Sequence, residues 1–561
     1  MKNPIIRLAP LLLLLATAVV YARALSAPYL WDDISLIGAN PTLDDHANIP
    51  RYFVEDLGHF NRDPREMGFY RPMQALTFHL ETALFGRLSS LQRTINMLLH
   101  ALAAIAVWLL ALAMLESPVW ALIAGLLFAV HPLCSEQVCL IANRGGLLAA
   151  CLSLWTLVML TRAVPSSGPV DRRRLAGAAM LYALALLTKP TALIVIAPAV
   201  AWLLLFRPKQ RANRAAWLAV AAMPAALALA YVAWRWGILG ISHAHKASPV
   251  DLSIRLLAMP RLTIEAVRLT LIPTGLRAIR SPDLAAWAAW PSALLSTLLW
   301  LAVLVAAWLA RRKMPIVTFA AVLLTAALAP ASGIIAIVRP VAEHYYYLPA
   351  AAMALALAGL GAAASRHKWS TVVAALLVLL FALGTVDRAG DWRSEQALWE
   401  DNVRHEPTNS QALNNLGTVL ADQGKKADAL ALFDRAVAAD PNNIKSHINR
   451  ANLAMILERY ETIYEDLAPV LHYDHCHLKA LILLGHIVVL HPTYEVDALA
   501  RRLKQEQKCA VALLVGQGMA FEKHDRFPEA LVRYRQFLDL APGHPLAGAV
   551  RAKVQKLSEM R

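Results

Sequence analysis

Two adjacent carboxylates, Asp32 and Asp33, stand in Tyr29-Leu30-Trp31-Asp32-Asp33, directly after an apolar run from about Ala9 to Ala27. An acid held where a membrane helix emerges into water can take the proton of a substrate hydroxyl. The same pair can also be a plain helix end, and this stretch alone leaves both readings open. Other ionisable residues recur near later apolar runs: Tyr70-Arg71, His79, Asn96 and His100, His131, Glu136, Arg144, Lys189, and Glu343-His344-Tyr345. Asn96 and His100 are one helical turn apart and share a side. Singly, each reads as a satisfied helix-end residue or a snorkelling cation. Together they suggest a site, because charge at membrane depth is costly. Acids would activate a hydroxyl, while Arg71, Arg144, Lys189 and His344 would hold an anionic head group such as a lipid phosphate.

The elements that must position these residues follow from composition. The 561-residue chain is 58% apolar and 17% charged, with a mean hydropathy of +0.47. Long apolar runs continue to about residue 386, and a more polar region follows. This predicts a mainly α protein, a polytopic membrane domain over 1–390 joined to a second domain over 391–561. The net charge of +15 does not point to nucleic acid. The basic residues sit in short clusters between apolar runs, and no nucleic-acid motif accompanies them.

About eleven spans are predicted, near 9–27, 92–115, 118–135, 140–162, 175–188, 190–206, 215–237, 288–310, 315–337, 346–364 and 369–386. The first has flanks that resemble a signal peptide, but its apolar run continues past Ala22-Arg23-Ala24, which favours an anchor. With the N-terminus cytoplasmic, the basic clusters 172–174, 207–214, 311–313 and 366–368 all fall inside. The Asp pair, the other candidate residues and the second domain then fall outside. Two external loops are long, about 28–90 and about 238–287. Within the latter, 254–272 carries Arg255, Arg261, Glu265 and Arg268 at helical spacing, which predicts an interfacial amphipathic helix.

From Ser410 the pattern changes. Leu416-Gly417, Ala429, Phe433, Ala436 and Pro441 fit a 34-residue tetratricopeptide repeat. The same phase recurs at Ala451, Leu484-Gly485 and Gly518, placing repeats at about 410–443, 444–477, 478–510 and 511–544. Such a solenoid offers a concave face for a peptide or protein partner. His472, His475, Cys476 and His477 lie at a repeat junction, without orderly metal-ligand spacing, and no metal site is expected. Five cysteines make no disulfide framework, although Cys134/Cys139 and Cys476/Cys509 are possible pairs.

The motifs resemble, in order and over nearly the whole chain, the transmembrane and tetratricopeptide-repeat protein O-mannosyltransferases (the TMTC family) and their bacterial relatives. The matching residues are Asp32-Asp33 with Asn40, Tyr70-Arg71-Pro72, Asn96-Met97-Leu98-Leu99-His100, Phe128-Ala129-Val130-His131-Pro132 to Glu136, Asn143-Arg144 to Leu148, and Lys189. Asp391-Trp392-Arg393-Ser394-Glu395 to Leu398-Trp399, and Ala412-Leu413-Asn414-Asn415-Leu416-Gly417, complete the likeness. It departs at Pro190, at His344 where an arginine is common, and at Gly145-Gly146 after Arg144.

The resemblance implies a GT-C fold and transfer of a sugar from a polyprenyl-phosphate donor to Ser or Thr of an exported protein, with inversion and without a separate cofactor. It implies an external-loop acid as base, Asp33 or Asp32, with the former preferred. Arg71, Arg144, Lys189 and His344 would bind the donor phosphate. Tyr70, Asn96, His100, His131, Glu136, Glu343 and Tyr345 would line the pocket. The setting would be a bacterial inner membrane, with the site and repeats on the periplasmic side. Two other readings remain: lipid-linked sugar transfer to a glycan or lipid, and a non-catalytic repeat scaffold of an envelope complex.

Overall fold

The computed structural model describes residues 4–57, 69–211, 213–241, 250–332, 339, 341–367, 369–493, 496, 498–501, 503 and 511–559. Among them every regular element is helical, and they fall into two compact units, Met1–Leu398 and Trp399–Arg561.

Unit 1 opens with α1 (Pro4–Tyr21), followed by α2 (Pro72–Phe85), α3 (Ser89–Leu115), α4 (Pro118–Ala129), α5 (Ser135–Cys139), α6 (Arg144–Ala163) and α7 (Arg172–Thr188). Among the described residues seven helices are long and apolar enough to cross a membrane: Pro4–Ala24, Ser89–Leu115, Ile141–Ala163, Arg214–Ile238, Trp290–Arg312, Glu343–Ala363 and Ser370–Asp391. An eighth is Pro118–Ala129 with Pro132–Cys139, bent by 49°. Pro132 cannot donate to the helix ladder, so the chain breaks there and re-aims α5. This is a multi-pass membrane protein. The eleven predicted runs are each helical at their centres. Pro190–Phe206 and Pro315–Ala331 are shorter apolar helices, and α7 opens on three arginines, so length and composition single out seven or eight.

The helix Leu252–Leu271 lies outside that set. It packs against Trp290–Leu309, and Arg268 pairs with Glu265 at 2.7 Å. α3 is the centre of the unit, packing on α1, α4 and α6. Its buried polar residues Gln92, Asn96 and His100 sit four apart and form one polar stripe.

Unit 2 stacks helix pairs. Ser410–Asp422 packs on Lys426–Ala439, Ile444–Ile456 on Ile463–Tyr473, and Ala512–Lys523 on Phe527–Leu540. Small residues set the spacing: a Cβ at Gly417 would meet the Phe433 ring, and one at Gly518 the Tyr534 ring. The polar junctions are used as caps, since Asn409 accepts from Ala412 N–H at 2.8 Å and His477 from Ala480 N–H at 3.3 Å. Cys134 and Cys139 are both buried free thiols, so the first suggested pair is unbridged. Cys509, of the second pair, lies outside the described residues.

Candidate active site

The two carboxylates have different environments. Asp33 is fully buried. Its Oδ1 accepts from the Ala142 N–H at 2.6 Å, its Oδ2 from the Leu30 N–H at 3.2 Å, and Arg93 lies 3.8 Å away. Arg93 in turn donates to the carbonyls of Ala27, Pro28 and Cys139 at 2.6–2.9 Å. The pair thus fastens the chain after α1 to the turn before α6. Burial, only partly offset by those bonds, pushes the Asp33 carboxyl up to about 7. Asp32 is exposed. Just before it, Trp31 holds φ at +48°, a conformation costly for a bulky residue and common at functional sites. The Trp31 N–H donates to Glu395 at 2.8 Å, and Arg339 covers its ring at 4.4 Å.

Arg339 also leads to a second group of residues, lying within electrostatic reach of Glu136 and Tyr345. Glu136, buried on α5, holds His344 Nδ1 at 2.7 Å and the His344 N–H at 3.0 Å, and Asn143 donates to it at 3.2 Å. Lys189, between α7 and the next turn, feels both Arg71 and Glu136. Its ammonium is brought down to about 7, first by burial and then by Arg71, against the pull of Glu136. Arg71, at the start of α2, stacks on Phe69 at 4.6 Å. Arg235 is its cationic neighbour. Arg339 and Lys189 therefore bring positive charge to Glu136, and Arg71 links Lys189 to Arg235, a run of cations suited to an anion.

Beside this cluster opens an apolar cleft of about 310 Å³, lined by Phe53, Tyr70, Ala183, Leu186, Leu187, Leu227, Tyr231 and Trp234. Tyr70 adjoins Arg71, and Leu187 is two residues from Lys189, so the cleft and the cations share walls. Tyr70 is fixed by Phe53 O at 2.9 Å and Trp234 Nε1 at 3.1 Å.

The other expected site residues are committed elsewhere. Arg144 was expected on the donor phosphate, but it is completely buried: it pairs with Glu81 and donates to Asn96 Oδ1 at 2.8 Å and Gln92 O at 2.6 Å. Asn96 also donates to Val138 O at 3.3 Å. His100 bridges the Tyr347 hydroxyl at 2.7 Å and Ala129 O at 3.1 Å. His131 donates to Thr270 O at 3.0 Å and accepts from the Leu133 N–H at 3.2 Å. Glu343 is buried between Arg280 at 3.5 Å and Arg388 at 3.3 Å, and also accepts from the Arg277 N–H. Of the expected pocket, Tyr70, Glu136 and Tyr345 lie at the cluster, while Asn96, His100, His131 and Glu343 hold helices together.

Arg235 and Arg339 were missed. The signal for Arg235 was present in Trp234-Arg235-Trp236, a cation between aromatics near the end of an apolar span. The glycines after Arg144 also acquire a reason. A Cβ at Gly145 would collide with the Gln74 amide and one at Gly146 with the Gln137 amide. Gln74 accepts from Arg71 at 3.4 Å, and Gln137 donates to the His344 carbonyl at 2.9 Å.

Residues 70–236, which carry most of this cluster, match the family described as dolichyl-phosphate-mannose-protein mannosyltransferase. Residues 410–443 match the tetratricopeptide repeat. The chain is homologous to proteins named protein O-mannosyl-transferase. It is 25% identical to F38B6.6 of Caenorhabditis elegans, across 77% of this chain and 63% of that one. It is 23% identical to TMTC3 of Mus musculus, across 78% and 52%, and 27% identical to Tmtc3 of Drosophila melanogaster, across 33% and 22%. The chain thus spans less than two thirds of the length of each of these relatives.

Proposed function

We propose that this protein is an integral-membrane glycosyltransferase that moves a sugar from a polyprenyl-phosphate donor to a Ser or Thr hydroxyl of an exported protein. The observation that carries this reading is the cation cluster of Arg71, Lys189 and Arg235 sharing walls with an apolar cleft. A lipid phosphate needs both, a charged seat for its head and an apolar lining for the first isoprene units. The names of the relatives support a sugar and a protein acceptor.

In this reading Asp32 is the base. Its exposure favours it over Asp33, whose oxygens are taken by two backbone amides. Asp32 takes the acceptor proton as the oxygen attacks the anomeric carbon. The bond from that carbon to the phosphate oxygen breaks with inversion, and Arg71 and Lys189 stabilise the departing phosphate. Asp33 and Arg93 position the segment that carries Asp32. Residues 1–390 form the GT-C catalytic domain, with external loops at about 28–90 and 238–287. The repeats over 410–544 present the acceptor, and Asn414, Thr418 and Asn449, linked at 2.9–3.3 Å, give their first helices a polar row. The setting in this reading is a bacterial inner membrane, and the alternation of basic clusters supports an orientation with this chemistry on the face away from the cytoplasm.

The test compares wild type, a deletion and Asp32→Asn by mass spectrometry of exported proteins. The expected result is a hexose-sized mass lost in both the deletion and Asp32→Asn, with the variant still present in the membrane. Transfer that survives in Asp32→Asn overturns the assignment of the base. Protein masses unchanged by the deletion overturn the acceptor class.

A further inference from the structure

The geometry of His344 supports one inference beyond this reaction, and it rests on the lipid-phosphate reading just given. The ring is held from several sides. Nδ1 faces Glu136 Oε1 at 2.7 Å, the residue's own N–H meets Glu136 Oε2 at 3.0 Å, and its carbonyl accepts from Gln137 at 2.9 Å. The Tyr345 ring lies 4.3 Å away, edge to face. A carboxylate oxygen only accepts, so the single proton of a neutral ring sits on Nδ1. Nε2 then carries a lone pair, which repels a phosphate oxygen. Only a second proton turns Nε2 into a donor. Among the described residues Nε2 makes no hydrogen bond, and the side chain keeps 16% of its surface exposed.

We propose that His344 is a proton-gated ligand of the donor phosphate, with Glu136 holding Nδ1–H and Nε2 engaging the phosphate only in the doubly protonated ring. Glu136 is a positioning residue in this scheme. Binding takes up one proton from solvent at Nε2, and no bond to carbon or phosphorus changes. The charged and titratable groups around the pair are Arg339, Lys189, Tyr345 and Glu343. Glu343 is already matched by Arg280 and Arg388. A permanently charged residue at this position would bind phosphate at any pH. A histidine locked to a carboxylate makes donor affinity depend on the acidity of the compartment it faces.

Burial and Arg71 bring the Lys189 ammonium down to about 7, so its charge must be fixed before the histidine can be read. The experiment uses the full chain in lipid nanodiscs and a fluorescent polyprenyl methyl phosphodiester, whose charge is constant across the pH series. Binding is measured from about pH 5.5 to 8. The proteins are Lys189→Arg, Lys189→Arg with His344→Arg, and Lys189→Arg with His344→Gln. Monodisperse elution and Tm verify folding. In Lys189→Arg, affinity should fall at least about tenfold as pH rises, the loss of one charge-assisted hydrogen bond. With His344→Arg it should stay within about twofold, and with His344→Gln it should be weak and equally flat. A flat Lys189→Arg profile, or an equally steep fall after His344→Arg, overturns the gate. If none of the proteins binds the phosphodiester at any pH, the lipid-phosphate reading fails, and the gate with it.

Discussion

Asp33 and Arg93 face each other at 3.8 Å with neither side chain exposed, and both are bonded mainly to backbone. That makes Asp33 an anchor whose protonation is tied to folding. Its folded value, about 7, lies above the ordinary 3.8. Between those pH values the folded chain holds one more proton than the unfolded chain, so stability falls as pH rises. The contribution is complete below about pH 4 and is lost through about pH 7, with a slope approaching about 1.4 kcal/mol per pH unit. Thermal unfolding of wild type and Asp33→Asn in one detergent, from about pH 5 to 8, should show wild type losing ground to the variant. A constant difference, or one of opposite sign, contradicts the anchor.

Arg144 offers a sharper test, because two roles predict different outcomes. As a buried partner of Glu81, its replacement by Met leaves an uncompensated carboxylate, at a cost of roughly 3–5 kcal/mol. Glu81→Gln added to Arg144→Met should recover much of that loss, since the stranded charge is then gone. A phosphate ligand would behave otherwise: donor affinity would fall while Tm held, and the second change would restore nothing. Tm and donor binding on the single and double variants separate the two.

How much of this was legible in the sequence depends on the distance over which each feature is decided. Apolar runs and the repeat phase are local: helices are centred on the runs, and the first predicted repeat, 410–443, matches the tetratricopeptide repeat. The break at Pro132 is not part of the sequence reading, which carries one span through 118–135. Which carboxylate is buried is not decided locally: Asp33 is chosen by the Ala142 amide, 109 residues away. Arg144 has the same character, since nothing near it announces Glu81 or Gln92 as partners. Residue type singled out Arg144, His100 and Glu343 as chemically capable. Only packing assigns their donors and acceptors to neighbouring helices. Arg339 carries no aromatic flank, and its role follows from its place over the Trp31 ring and within electrostatic reach of Glu136.

Gly146 lets Gln137 lie against the start of α6 and reach the His344 carbonyl. Gly146→Ala should push that amide away, shift His344 and lower donor affinity by about three- to tenfold without altering any charge. Adding Gln137→Ala removes the collision but also the hydrogen bond to His344. The double variant should therefore bind no better than Gln137→Ala alone, while its Tm exceeds that of Gly146→Ala. If Gly146→Ala binds donor and melts like wild type, the close approach has no functional weight.

In unit 2 the tightest crossing joins Leu478–Leu490 to Ala512–Lys523. A Cβ at Gly485 would run into the Leu513 carbonyl, and one at Gly516 into the Ile482 carbonyl. Main chain cannot swing aside as a side chain can, so overpacking here separates two whole helices. Gly485→Val should cost at least about 2–3 kcal/mol, above the usual overpacking loss, and open this part of the solenoid to protease. Gly417→Ala, which meets only the Phe433 ring, should cost less, because a ring can tilt. Limited proteolysis and unfolding of the full chain rank the two. If the repeats serve to hold an acceptor, Gly485→Val should raise the KM for protein acceptor while leaving the affinity for donor unchanged. Equal loss of donor affinity would mean that the repeats support the membrane unit itself.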